Sequence, residues 1–256
     1  MGSSYKSGFT IIETMLFLAI TGALVVGVLV GTGASINIQR YRDSVTSLKS
    51  LIQKQYSDAL NVQNGVRAKA IACDASASVS ETGATQPRGQ SDCVVMGKLV
   101  TIDNTTVTTS TVIGAGVNSG NLSDVDLIKS YNLSILNSTS ETSQLEWGTK
   151  IAWPVSGGGA KNPTTPREIA ILIVRSPQSG QIYTFSADDI HASLKSMIVA
   201  GRSIPGQSQR TICIDSDGLF TGDSMAVSLG VYATGASDIE TRSNNTNLVA
   251  GVDSKC

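Results

Sequence analysis

Charge is scarce in this chain. Its 256 residues hold 19 Lys and Arg against 20 Asp and Glu, a formal net charge of −1, and only 15% are charged. That balance argues against a protein that grips nucleic acid through a broad basic surface, because neutralising a phosphate backbone takes clustered cations. Aromatic residues make up 5%, so any core must be built mainly from Ile, Val, Leu and Ala. The single histidine, His191, removes every site that needs two imidazoles. The first proline is Pro87. Against these shortages, 41% of the residues are hydrophobic, enough for a folded core, and the length allows one or two domains.

The hydrophobicity is concentrated at the N-terminus. From Thr14 to Gln39 there is no charged residue. At ~1.5 Å rise per residue, a helix over that stretch exceeds the ~30 Å hydrocarbon core of a bilayer. Buried helices of soluble proteins rarely run so long without polar positions. A conventional secretory signal expects a basic leader, a short apolar core and a small-residue cleavage site after it. Here Met1 to Gly8 holds one lysine, Lys6, and the apolar run is too long. Glu13 stands at the start of that run, behind Phe9, Thr10, Ile11 and Ile12. An ionised carboxylate in a membrane helix costs a few kcal/mol or more, so it is usually paired and functional. The apolar stretch offers no cation, which places the expected partner on another molecule.

Gly8-Phe9-Thr10-Ile11-Ile12-Glu13, followed by an apolar helix, resembles the class III signal of type IV prepilins and type II secretion pseudopilins. The resemblance implies that a membrane peptidase cuts between Gly8 and Phe9, that Phe9 becomes the N-methylated first residue, and that Glu13 is the fifth mature residue. The chemistry suits the misplaced carboxylate: cleavage creates an ammonium at Phe9, and a staggered helical array brings one Glu13 to a neighbour's amine. One departure from major pilins is Val30, where proline is common. Gly22, Gly27, Gly31 and Gly33 soften the helix instead, at ~1 kcal/mol of helix propensity each, and Gly27 and Gly31 form a GxxxG pair that admits close helix approach. Arg40, Arg42 and Lys49 at the outer end outnumber Lys6 and the initial amine. The positive-inside rule alone leans the other way; the motif and the cysteines set the orientation.

Beyond the run the period changes. Tyr41, Val45, Leu48, Ile52, Tyr56 and Ala59 recur at three- and four-residue steps, the mark of an amphipathic helix with one apolar stripe. The expected organisation is a leader at 1–8, one continuous helix at 9–64 (membrane-spanning about 11–36, amphipathic 37–64, ending near Gly65) and a globular β-rich head at 65–256. In the head, Cys93–Ile102 with Thr105–Ile113 and Glu168–Arg175 with Gln181–Ser186 read as hairpins, and Trp147–Val155, Arg210–Ile214 and Ala226–Tyr232 as strands. Ser186 with Asp189 predicts the start of a helix running to about Val199 and carrying His191. Without regular βαβ alternation, the fold class is α+β with a largely antiparallel head. The family resemblance makes it type IV pilin-like, and the head is loosely similar to H-type pseudopilins and FimT-like minor pilins.

Cys73, Cys93, Cys213 and Cys256 all follow the apolar run. None forms a CxxC pair, so a zinc site is poorly supported and two disulfides are expected outside the membrane. Three pairings are open. We favour Cys73–Cys93, closing the loop around Pro87, and Cys213–Cys256, pinning the C-terminus to a strand. Asp215-Ser216-Asp217-Gly218 with Asp223 has the flavour of a calcium loop but lacks the full ligand pattern, and it reads as a turn. No catalytic constellation, metal site or cofactor emerges.

The expected function is therefore non-enzymatic, a pilin, minor pilin or pseudopilin subunit. Its implied partners are the prepilin peptidase/methyltransferase, other pilin subunits and an inner-membrane assembly platform. The chain would be held single-pass in the cytoplasmic membrane before assembly, then in an extracellular pilus or periplasmic pseudopilus. The alternative is a membrane-anchored adhesin or DNA-uptake pilin whose head binds a ligand, with Arg88, Lys98, Arg167, Lys161, Arg202 and Arg210 as its scattered cations.

Overall fold

A computed structural model describes residues 8, 10–61, 72–80, 93–116, 122–153, 167–200, 210–219, 224–230, 233–243 and 256. Its longest element is α1 (Ile11–Leu60), an unbroken helix of 50 residues. The six stripe residues read from the sequence, Tyr41, Val45, Leu48, Ile52, Tyr56 and Ala59, are all buried, and Ser44 and Gln55 are buried beside them. The helix stops at Leu60 with Asn61 as its cap, four residues short of the expected end; Gly65 lies outside the described residues.

Every strand pairing among the described residues of the head is antiparallel. A two-residue ladder joins β1 (Ala72–Cys73) to β2 (Val79–Ser80). A five-stranded sheet runs in the order β5-β4-β3-β7-β8. It comprises β3 (Cys93–Asp103), β4 (Thr106–Ala115), β5 (Asn132–Gln144), β7 (Glu168–Arg175) and β8 (Ile182–Ala187). A four-stranded sheet runs β11-β10-β9-β6, from β6 (Lys150–Ala152), β9 (Arg210–Asp215), β10 (Met225–Leu229) and β11 (Ile239–Ser243). The described residues of the head also form two short α-helices, α2 (Asp124–Ser130) and α3 (Leu194–Ala200).

The strand alternation sorts the core into two layers. In β7, Ile169, Ile171 and Ile173 join the cluster around α1, which the four-stranded sheet completes with Ile151, Ile212, Ile214, Val227 and Ile239. The intervening Ala170, Leu172 and Val174 face the second cluster, with Met96, Val112, Phe185, Ile128 of α2, and Leu194, Met197 and Ile198 of α3. A strand covered on both faces reads as a continuous apolar run, which Glu-Ile-Ala-Ile-Leu-Ile-Val-Arg is. Gly97 sits at the register shift between β3 and β4. A Cβ there would lie 1.9 Å from the Ile173 carbonyl oxygen, so β3 and β7 approach as closely as they do only because that position lacks a side chain.

Several expectations are corrected here. The 122–146 region carries α2 and β5, neither foreseen. The expected strand Trp147–Val155 is shorter: Glu146–Gly148 is a 3-10 turn and the strand spans Lys150–Ala152. The helix expected from Ser186 begins at Leu194. Ser186 belongs to β8, where its hydroxyl accepts from Arg210 at 2.9 Å, while Ser193 supplies the cap, accepting from the Ser196 N–H at 3.2 Å. His191 accordingly lies in the preceding turn.

Candidate functional site: the N-terminal helix and its junction with the head

The start of α1 follows from local chemistry. Thr10 is extended and caps the helix, its hydroxyl accepting from the Glu13 N–H at 3.3 Å. Thr-x-x-Glu is the capping-box spacing. It puts the Glu13 carboxylate in the first turn, where the positive end of the helix dipole favours an anion. Gly8 is exposed; Phe9, its expected partner in cleavage and methylation, lies outside the described residues.

From Ile11 to Ile36 every residue is exposed except half-buried Thr21. The exposure includes Leu16, Phe17, Leu24, Val25, Leu29 and Val30, each at 57% or more. Water does not tolerate such a surface on a folded monomer. Its threonines are satisfied inside the helix: Thr14 donates to the Ile11 carbonyl, Thr21 to those of Phe17 and Leu18, and Thr32 to that of Leu29. A helix that internalises its backbone and hydroxyl hydrogen bonds is suited to a medium without water. This one helix is long and apolar enough to cross a membrane. Added Cβ atoms at Gly22, Gly27, Gly31 and Gly33 would meet nothing within 4 Å, so these glycines mark open surface on α1.

The junction with the head is tied by polar contacts around the apolar stripe. The buried Tyr41 hydroxyl donates to the Ile214 carbonyl at 2.8 Å and accepts from the Met225 N–H at 2.7 Å. Burial raises the Tyr41 pKa, opposed by the Met225 hydrogen bond. Ser44 shares a hydrogen bond with Thr149, Ser47 donates to Glu146, and Gln53 donates to the Ala236 carbonyl at 2.9 Å. Tyr56 shares one with Thr184 at 2.8 Å, and burial pushes its phenol up to about 12. The helix is thus a structural member of the head over its last five turns and free of it before.

Cys73 is joined to Cys93 and Cys213 to Cys256, with Cα separations of 5.8 and 5.4 Å. The second bond lies in its own small core with Ala152 and Ala226. The Asp215–Gly218 segment is a turn in which Asp217 and Gly218 take φ of 49 and 85°. Asp215 accepts from the Asp217 N–H, and Asp217 pairs with Lys150. Asp223 lies outside the described residues, among which no group of His, Cys, Asp and Glu is placed to hold a metal.

The cations considered for a ligand patch are dispersed. Lys98 donates to Thr111 at 3.0 Å. Arg167 is 2% exposed, with Asp188 at 3.2 Å, the Thr211 carbonyl at 2.6 Å and the Trp153 ring 4.8 Å away. Burial lowers its pKa and Asp188 opposes that shift. Arg210 pairs with the same Asp188 at 2.8 Å. Arg88, Lys161 and Arg202 lie outside the described residues. Arg167 is therefore a strut between the two sheets, a role the sequence did not signal, since its acceptors come from β6 and β9.

Among the described residues the arrangement is an apolar rod with an acidic first turn, anchored in a β head. Comparison of the chain with protein-family models, with curated proteins and with solved structures returned no match.

Proposed function

We propose that the chain is a structural subunit of a type IV pilus-like or type II secretion-like filament. On this reading a prepilin peptidase cuts it at Gly8–Phe9 and methylates Phe9, and it assembles through its N-terminal helix. The observation that carries the reading is the division of α1: an apolar half exposed on all sides and begun by Glu13, continuous with a half buried in the head. Such a rod requires a bilayer before assembly and the equivalent rods of other subunits after it. Glu13 then meets the amine at Phe9 of a neighbour, and in a low-dielectric filament core that attraction is strong enough to fix one axial register. The assembly platform in the inner membrane and the other pilin subunits are the partners this implies. The pilin-like form of the head rests on the same long helix packed on an antiparallel sheet.

The test separates membranes from sheared filaments in cells making wild type or Glu13→Val. The expected result is normal membrane insertion and normal cleavage with loss of the variant from filaments. Equal incorporation of Glu13→Val would remove Glu13 as the register contact.

A further inference from the structure

Trp147 sits where local structure gives a tryptophan no reason to be. Its backbone is left-handed, φ 59° and ψ 23°, a conformation that glycine and asparagine adopt more cheaply. The residue is 49% exposed and belongs to none of the core clusters. The ring partner it has is on α1: the Arg40 guanidinium stands 4.8 Å from its centroid. The turn is held against the helix from both sides, through Glu146 to Ser47 and through Thr149 to Ser44. A strained, exposed aromatic kept in place by its neighbours points to a surface that uses it.

Its position says which surface. Arg40 is the first charged residue after the uncharged run from Thr14 to Gln39. It lies four residues past Ile36, the last exposed large apolar residue of that half, or about 6 Å along the axis at about 1.5 Å per residue. The headgroup layer beyond the hydrocarbon is roughly 5–7 Å deep on each side of a bilayer. Tryptophan concentrates in that layer because its ring is apolar and its N–H is wet, and arginine binds phosphate through its fork of donors. Arg42, two residues on and about half a helical turn round α1, is also exposed, and among the described residues neither Arg40 nor Arg42 is in an ion pair.

We propose that Trp147, with Arg40 and Arg42, docks the membrane-proximal end of the head on the lipid headgroups of the bilayer that α1 crosses. The indole enters the interfacial layer and the arginines meet lipid phosphates. This rests on the membrane reading of α1, and it assigns a task to the basic residues that the positive-inside count leaves on the outer side.

The chain has two tryptophans, Trp147 and Trp153, so Trp153→Phe leaves Trp147 as the sole indole fluorophore. The full-length variant is placed in phosphatidylcholine–phosphatidylglycerol vesicles carrying either a headgroup nitroxide or bromines midway along the acyl chains. The headgroup nitroxide is expected to remove most of the Trp147 emission and the acyl bromines little of it. Adding Arg40→Gln and Arg42→Gln should weaken the nitroxide quenching; unchanged quenching would overturn the arginines' part. A separate chain with Trp147→Phe, Trp153→Phe and Leu24→Trp reports the helix itself, and strong quenching by the acyl bromines is expected there. If Leu24→Trp is quenched and Trp147 is not, the docking proposal is wrong and the indole faces water or a neighbouring subunit. If Leu24→Trp escapes the bromines, the membrane reading fails and the docking falls with it.

Discussion

Residues 11–36 and residues 41–59 of α1 share one continuous backbone and meet opposite surroundings. The first stretch is apolar around its whole circumference and exposed; the second is apolar along one stripe, and that stripe alone is buried. Propensity does not distinguish them, since both are helical. The angular spread of the apolar residues does: a stripe matches a partner on one side, whereas an all-round apolar surface matches a medium. The same helix is thus a core element of the head at one end and, at the other, a rod long and apolar enough to cross a membrane, and the changeover falls between Ile36 and Tyr41.

The largest expected contrast comes from placing one carboxylate in each half. Ile52→Asp buries an uncompensated charge in the core around α1, where Ile52 is 0% exposed. At a cost of about 5 kcal/mol or more this rivals the whole stability of a small domain, so the head should lose its resistance to protease. Val25→Asp should leave head unfolding unchanged while costing about 3 kcal/mol in membrane insertion, read as a loss from the membrane fraction. Equal damage to the head by both would break the division.

The head can also be loosened without touching the helix. Replacing Cys213 and Cys256 by serine opens a link across 43 residues, against 20 for Cys73 and Cys93. The loop-entropy relation gives about 4 and about 3 kcal/mol respectively, measurable as lowered urea midpoints. The first pair should matter more to the junction, because β9 also supplies the Ile214 carbonyl that receives Tyr41.

Alkali provides a smaller, reversible probe. Tyr56 has its phenol raised to about 12 by burial, so its neutral form is favoured in the fold. That stabilisation is complete below the unfolded value near 10 and is lost as pH rises from about 10 towards 12, at up to about 1.4 kcal/mol per unit. Tyr56→Phe should cost about 1 kcal/mol at neutral pH through the lost hydrogen bond and flatten the alkaline limb of stability. The smallest effect is expected at Asp124, far from α1. Hydrogen bonds from Ser176 and Ser179, then Tyr183, hold its carboxyl below the usual range. Its contribution is present above about pH 4 and fades as pH falls through the lowered value. Asp124→Asn should therefore reduce only the acid sensitivity of thermal unfolding, leaving the helix junction intact.

Much of this was legible where the signal is local. The stripe from Tyr41 to Ala59 and the β3–β4 and β7–β8 hairpins each depend on residues close in sequence. β5 was not, because among the described residues it is an edge strand that pairs with β4 alone. Of Asn132–Gln144 only Leu136 is buried, so no alternation announces it. The start of α3 was misread because Ser186 and Asp189 have capping spacing but serve a strand and a turn. At the candidate site, Gly8 and Glu13 stand in a local motif, while Trp147 is unremarkable until folding sets it over Arg40. Arg167 likewise looks like one more surface cation until its carbonyl acceptors arrive from two other strands.

The central claim is tested most directly by the N-terminal mass of the protein recovered from sheared filaments. A mature chain beginning at Phe9 with a methylated amine is the expected result. Filaments containing subunits with an intact Met1 start would contradict it.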